Sequence, residues 1–532
     1  MPSWLKDAVF YEIYPQSFYD TNGDGIGDLK GIEEKLDYVK SLGCNALWIN
    51  PCFDSPFKDA GYDVRDYKKI APRYGTNEDM AHLLTTAHEK GIKVLLDLVP
   101  GHTSEEHQWF VESKKAERNE FSDRYVWTDF AFAGIPDHPY IGGESERGGC
   151  YMLNFFKCQP ALNYGFGKVQ YPWQKSYDSP EAIATREALK DTMRFWLDMG
   201  CDGFRVDMAD SLVKDDEDGK PYTSLIWKNI REMLDQEYPD AALVSEWCDP
   251  PHALPAGFHM DFLLDHTGDC YNELLREYEA EDENNQPLKE GENEEERRTK
   301  IDHSYFKASS DGHISAFLRN YMNYYYGSKE SGYMSLLTCN HDTPRAKRTL
   351  TDDELKLAYA FIFTMPGVPF LYYGDEIGMK YLNIPTKEGG YHRTGSRTPM
   401  QWNHEKNFGF STADEKDIYL QQDKSADSPT VEDQEADENS LLNTVKAVIS
   451  LRHEHEDLQA DGSFSVIHAS TNDRTFVYRR GKLVIAVNPS LNEEKISLDD
   501  VTESNAIYSI GSALIADSVL DIKPQSFVVF NF

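Results

Sequence analysis

The sequence has no uninterrupted apolar stretch approaching the roughly 20 residues that a membrane-spanning helix needs, which excludes a helical span. Its opening, MPSWLKDAVFYEIYPQSF, has no basic segment leading into a long apolar core and a small-residue cleavage site. No secretory signal is read there, and a cytoplasmic protein is expected. Cysteine is sparse: eight residues are scattered over 532 positions, and no two stand in CxxC spacing. Zinc knuckles and redox motifs therefore lack support, and reduced, mostly buried thiols are expected. Positive charge is short as well, with 54 Lys+Arg against 91 Asp+Glu and a formal net charge of -37. Nucleic acid and anionic membranes gain nothing from such a surface and are not expected as partners. A neutral ligand such as a sugar is not repelled.

What is present is ordinary for a globular chain: 40% apolar, 13% aromatic and 27% charged residues. At roughly 150 residues per domain, the length suggests three or four domains or one large barrel with attachments. Short β-branched or aromatic runs over residues 8–14, 46–50, 94–99, 203–207, 242–246, 262–266, 333–339 and 369–373 read as strands. Segments of helical period separate them, such as Ile32, Leu36 and Val39, or Ala188, Thr192, Phe195 and Met199 closed by Gly200. Eight β-then-α units are what a (β/α)8 barrel requires, because each parallel strand needs a covering crossover helix.

Two irregularities add domains. The long Gly-, Pro- and aromatic-rich stretch between the third strand and a helix opening near Ser179 is too long for a simple loop. After a helix over residues 441–456 the pattern turns to period-2 runs, read as an antiparallel β-domain. The expected organisation is a barrel over 1–101 and 179–457, an inserted domain over 102–178 and a C-terminal β-sandwich over 458–532. Two acidic stretches, 279–296 and 423–438, read as solvated excursions.

Reactive groups of such barrels sit where strands end, at the C-terminal face. Those ends carry Asp97 and His102, then Arg205 and Asp207, then Glu246, then Asn340, His341 and Asp342. Four carboxylates, two histidines, an arginine and an asparagine would thus converge on one opening.

Separately, Asp20, Asn22, Asp24 and Asp28 supply oxygens at alternate positions, with Gly25 for a sharp turn and the Ile26 carbonyl as a further donor. The run is similar to the first nine positions of an EF-hand loop, but Gly31 stands where the bidentate Glu would be. Hard oxygen donors of this kind suit a structural Ca2+, with Mg2+ as the second choice; the other reading is an Asx-rich turn without metal.

The segments DLVPGHTS, GFRVDMAD, VSEW and TCNHD resemble, in order, the four principal motifs of the α-amylase superfamily, glycoside hydrolase family 13. YEIYPQSF, GYDVRDY, QPALNYGF, YYGDEIGM and RTPMQW extend the resemblance over about residues 4–402, toward the oligo-1,6-glucosidase/α-glucosidase branch. The resemblance implies retaining hydrolysis of short α-1,6- or α-1,4-linked glucosides, with Asp207 as nucleophile, Glu246 as general acid/base and Asp342 as the third acid. It implies that His102 and His341 bind the same sugar and that Arg205 orients Asp207. Tyr62 would stack on the ring. Asp63, with Arg393 or Arg397, would clamp the non-reducing end. A retaining site of this kind has its two working carboxyls about 5–5.5 Å apart.

Four departures matter. Gly101 replaces the Asn before the region-one histidine, so the calcium site usual in α-amylases is not expected. Met208-Ala209-Asp210 follows the nucleophile, without the Lys-His pair of endo-acting amylases. Met208 is also neither the Val that accompanies α-1,6 specificity nor the Ala of α-1,4, so linkage stays open, and Ala161 makes QPALN atypical. A transglucosylase or a sucrose/trehalose-type isomerase would share the first half-reaction. A non-catalytic barrel subunit of a transporter is the remote alternative, opposed by the presence of all three acids. A small-molecule oligosaccharide is the expected partner and a monomer the default assembly.

Overall fold

The computed structural model describes residues 1–132, 138–264, 271–278, 302–385, 387, 393–498, 501 and 505–531. Eight short strands form one sheet: β1 Phe10–Ile13, β2 Ala46–Ile49, β3 Lys93–Leu98, β4 Gly203–Val206, β5 Ala242–Ser245, β6 Met260–Phe262, β7 Tyr333–Ser335 and β8 Phe370–Tyr372. Their order is β7-β6-β5-β4-β3-β2-β1-β8, every pairing parallel. A parallel bridge between Leu337 and Phe370, with Val368 N–H donating to the Met334 carbonyl at 3.1 Å, joins the two ends and closes the barrel.

Period 2 sorts the side chains. Phe10, Ala46, Trp48, Leu95, Val244, Met260, Phe262 and Phe370 share one cluster inside the barrel, where Phe10 and Phe370 stack at 4.3 Å. Their alternates Tyr11, Leu47, Ile49, Val94, Leu96 and Leu243 pack outward beneath the helices. Burial on both faces is why these strands read as near-continuous apolar runs.

Helix limits follow local chemistry. Asn77–Glu89 begins at a capping box made by Thr76 and Asp79. Pro180–Met199 begins at Ser179, whose hydroxyl accepts from Ala182 N–H, and ends at Gly200, with φ +114°. Asp352–Thr364 has a second capping box, Thr351 with Glu354.

Between β3 and Pro180–Met199 the chain folds around a short hairpin, Tyr140–Gly142 with Cys150–Met152. A small core of Val126, Met152, Ala161 and Phe166 supports it. A His102–Ala161 bridge ties it to the barrel mouth.

After the helix Leu441–Glu454 comes a five-stranded antiparallel sheet against a three-stranded one. Val477, Val484, Ala486, Val528 and Phe530 face the small sheet, meeting Ile496, Leu520 and Ile522. Their alternates Phe476, Tyr478, Ile485, Phe527 and Val529 join the barrel's core. Leu483–Asn488 is therefore buried on both sides.

Some expectations need correction. β6 spans Met260–Phe262 rather than 262–266, and β7 stops at Ser335, after which single bonds rather than a ladder carry the chain to Thr338. The stretch 423–438 is not a free excursion. Thr430 and Val431 are buried, Val431 N–H donates to the Gln401 carbonyl at 3.0 Å, and Thr430 caps the helix Val431–Ala436. The other acidic stretch, 279–296, lies outside the described residues. No disulfide joins the described cysteines, and all but Cys158 are buried; Cys270 lies outside the described residues. Among the described residues no helix is long and apolar enough to cross a membrane.

Candidate active site

A cavity of about 480 Å3 is lined by Asp59, Tyr62, His102, Phe155, Phe156, Asp207, Met208, Glu246, Asp342 and Arg393. Its floor is set by strand register. Asp97 on β3 stands directly beside Arg205 on β4, and Asp207 and Glu246 follow β4 and β5 by one residue.

Arg205 is fully buried and holds three acids. Its Nη1 lies 2.9 Å from Asp97 Oδ1 and 3.1 Å from Asp207 Oδ1, and its Nη2 lies 2.7 Å from Glu246 Oε2. One guanidinium thus spans both carboxyls that line the cavity. Burial pushes the Asp207 carboxyl well above the usual range, the Glu246 carboxyl adds to that, and Arg205 opposes both.

The loops carrying these acids are also joined through backbone. Met208 N–H donates to Glu246 Oε2 at 3.1 Å, and Ala209 N–H donates to the Glu246 carbonyl at 3.1 Å. Met208 sits at φ +41°, a left-handed conformation that a non-glycine residue holds only when its surroundings fix it.

Asp342 is held differently. Arg393 Nη1 at 2.9 Å and Arg397 Nη2 at 2.6 Å both reach its Oδ1, and His341 Nε2 lies 3.2 Å from its Oδ2. Burial would raise this carboxyl, but Arg393, His341 and Arg397 together hold it well below the usual range. Burial would likewise lower His341, yet Asp342 and Glu12 on its two ring nitrogens raise it to about 9, so it is cationic at neutrality. His102 is the opposite case. Burial lowers it to about 3, and its ring accepts from Asn154 Nδ2 at 3.0 Å while Nε2 donates to the Tyr62 carbonyl at 3.1 Å.

Of the residues singled out in the sequence, Asp207, Glu246, Asp342, Tyr62, His102 and Arg393 line the cavity. Arg205, His341 and Arg397 stand directly behind it, each bonded to a lining carboxyl. Both arginines near RTPMQW therefore meet Asp342.

Asp63 does not line the cavity. It is fully buried and accepts from Ser55 Oγ at 3.0 Å, Asp59 N–H at 3.0 Å and Lys58 N–H at 2.9 Å, so it anchors the turn 55–63. The acid that faces Arg393 is Asp59, at 2.6 Å, with Gln159 Nε2 on its other oxygen at 2.7 Å. Sequence reading missed Asp59, although the two acids of DAGYD were a signal that one would hold the turn and the other face outward.

Where Gly101 removes a donor, a lysine joins the inserted segment to the barrel. Buried Lys214 donates to Asn154 Oδ1 at 3.3 Å and to the Ser211 carbonyl at 2.7 Å, and burial lowers it to about 8.

The loop carrying Asp20, Asn22, Asp24, Ile26 and Asp28 closes on its own amides. Asp20 accepts from Gly23 and Gly25 N–H at 2.8 Å each, Asn22 from Asp24 N–H at 2.9 Å, and Asp24 from Ile26 N–H at 2.9 Å. Asp28 accepts from Thr21 N–H at 2.9 Å and caps the helix Leu29–Glu34. Among the described residues no three His, Cys, Asp or Glu side chains gather as a metal-holding group. The loop's donors include Asn22 and the Ile26 carbonyl, and ionised carboxylates keep further lone pairs for a hard cation.

Comparison with known proteins matches residues 12–461 to the alpha amylase catalytic domain. The chain is 34% identical over 517 residues to the trehalose synthase/amylase of Mycolicibacterium smegmatis, covering 90% of this chain and 80% of that one. It is 32% identical over 570 residues to the oligo-1,6-glucosidase of Heyndrickxia coagulans, covering 94% of each. Among solved structures, an isomaltulose synthase mutant from Erwinia rhapontici NX5, in complex with its natural substrate sucrose, superposes with a TM-score of 0.79 at 26% identity. That match covers 100% of this chain and 99% of that one.

Proposed function

The chain belongs to the α-amylase family, and from that premise we propose that it is a retaining, exo-acting α-glucosidase acting on short α-glucosides. The observation that carries this reading is the single buried guanidinium of Arg205 spanning Asp207 and Glu246 at the cavity wall. A retaining mechanism needs one carboxylate to attack and one carboxylic acid to protonate the leaving oxygen. The reading places the charge on Asp207, which Arg205 favours, and the proton on Glu246.

In this reading Asp207 Oδ attacks the anomeric carbon while Glu246 gives its proton to the glycosidic oxygen. Glu246 then takes a proton from water, which releases glucose from Asp207. Arg205 keeps Asp207 oriented and supplies positive charge beside it. Asp342, held ionised, accepts from sugar hydroxyls, and neutral His102 and Tyr62 face the same ring. The Asp59–Arg393–Asp342 chain of ion pairs ties turn 55–63 to segment 393–397 beside the sugar, which favours a single terminal glucose over a long glucan. Ca2+ in the Asp20–Asp28 loop would be structural, held by Asp20, Asn22, Asp24, the Ile26 carbonyl and Asp28.

A second reading, transfer of the glucosyl group to another sugar, is favoured by the trehalose synthase and isomaltulose synthase among the relatives. It keeps every step up to the glucosyl-enzyme and differs in which hydroxyl arrives next. Incubation with p-nitrophenyl α-glucoside, maltose, isomaltose, sucrose and trehalose, with product separation, tests both readings. Free glucose as the main product supports the glucosidase, and isomeric disaccharide supports transfer. No reaction on any of the panel contradicts both.

A further inference from the structure

β6 carries one acid, Asp261, in the otherwise apolar strand Met260–Phe262. It is fully buried and has no basic partner in its ion-pair or hydrogen-bond environment among the described residues. Instead its carboxyl collects donors from the segment that carries Glu246. Ser245 Oγ donates to Oδ1 at 2.6 Å, Trp247 and Cys248 N–H donate to Oδ1 at 3.2 Å each, and Asp249 N–H donates to Oδ2 at 2.8 Å. Four groups on consecutive sides of Glu246 thus converge on one carboxylate. Strand register supports the arrangement, since Asp261 pairs directly with Ser245.

The turn so held is not one the chain adopts unaided. Cys248 sits at φ +61°, in the left-handed region that a side chain disfavours. Three successive amides pointing at one carboxyl form a cradle, and the carboxyl that fills it fixes the turn. Met208 N–H, bonded to Glu246 Oε2, then sets the far end of the same side chain.

We propose that Asp261 is a positioning residue for the general acid: it fixes the turn Trp247–Asp249 and through it the direction in which Glu246 presents its proton. The proposal rests on Glu246 being the acid of the glucosidase reading above. Asp261 touches neither the cavity lining nor the reacting atoms. Asp261→Asn keeps the shape but puts an amide N–H2 where a backbone amide or the serine hydroxyl now donates.

The test compares kcat/KM, which reads only the steps through departure of the aglycone, on two substrates. Phenyl α-glucoside needs its leaving oxygen protonated; α-glucosyl fluoride departs with little help from an acid. Asp261→Asn should lower kcat/KM on the phenyl glucoside by about 10- to 100-fold, a part of the 10²–10⁴ that general acid catalysis contributes. On the fluoride it should change by less than about threefold. Equal losses on both substrates, or no loss on either, would overturn the proposal. Circular dichroism and the thermal midpoint check that the variant folds. If it does not, Ser245→Ala, which removes one of the four donors, carries the same comparison under the same criteria. A wild-type enzyme silent on both substrates would instead sink the glucosidase reading itself.

Discussion

At the scale of single residues, the site is a set of charges arranged so that each fixes the protonation of the next. His341 lies between Glu12 and Asp342 with a ring nitrogen on each, and is raised to about 9. A group raised in the folded state contributes stability that is complete below its unfolded value near 6.5 and is lost as pH climbs through about 9. The window is therefore alkaline, and the full effect is on the order of 3 kcal/mol. The thermal midpoint should fall between pH 6.5 and pH 9.5 in the wild type and fall less in His341→Gln. Parallel curves for the two proteins would show that the ring is not cationic. Asp342 gives the complementary limb: its depressed carboxyl contributes stability that disappears only in acid.

The residue scale also divides what the sequence made legible from what it did not. Asp207, Glu246 and Asp342 were readable because each follows a strand end inside a short motif, and strand ends fix direction. Asp59 was not, because its role depends on how turn 55–63 closes, and Asp63 is consumed in closing it. Ala60 at φ +54° and Gly61 at φ +105° make that turn, and no motif encodes which acid ends inside it. Asp261 was missed for the opposite reason. It stands alone in an apolar run, and a lone acid there is itself the signal, since burying it is costly without donors to meet it.

At the scale of elements, short β-branched and aromatic runs located the barrel strands, helical period located the helices between them, and caps such as Ser179 and Gly200 matched the helix they bound. Strand lengths were less readable, because β6 and β7 end where side-chain and loop bonds replace ladder bonds. The acidic stretch 423–438 shows why composition alone misleads: a few residues, Thr430 and Val431 among them, dock the segment while all its acids but Asp423 stay exposed. The Asp20–Asp28 loop packs against segment 410–418, with Asp20 N–H donating to the Phe410 carbonyl at 2.9 Å and Ser411 Oγ to Asp20 Oδ2 at 2.5 Å. An ion bound there would act on that packing through mass action on the folded state. Chelation should lower the thermal midpoint by several degrees, and added Ca2+ should restore it. An unchanged midpoint would favour the plain Asx turn.

At the scale of the whole molecule, the net charge of -37 argues against nucleic-acid and anionic-membrane partners without saying what is bound. A neutral sugar feels little of that field, so salt should change kcat/KM far less than it would for a charged substrate. The C-terminal β-domain lies far along the chain from the acids, yet it shares the barrel's core. Arg474 reaches from it to the carbonyls of Tyr305, Lys307, Ala308, Ser310 and Gly312, and Arg480 to that of Thr364. Arg474→Met would leave several of those carbonyls without a donor and should cost roughly 3 kcal/mol of stability, read as a lower denaturation midpoint with kcat/KM unchanged below it.

The central claim is that Asp207 becomes covalently joined to glucose. Trapping with 5-fluoro-α-glucosyl fluoride, followed by peptide mass analysis, tests it most directly. A 5-fluoroglucosyl adduct is expected on the peptide that contains Asp207, and none in Asp207→Asn. An adduct on a different acid, or turnover of the fluoride by Asp207→Asn at the wild-type rate, would contradict it.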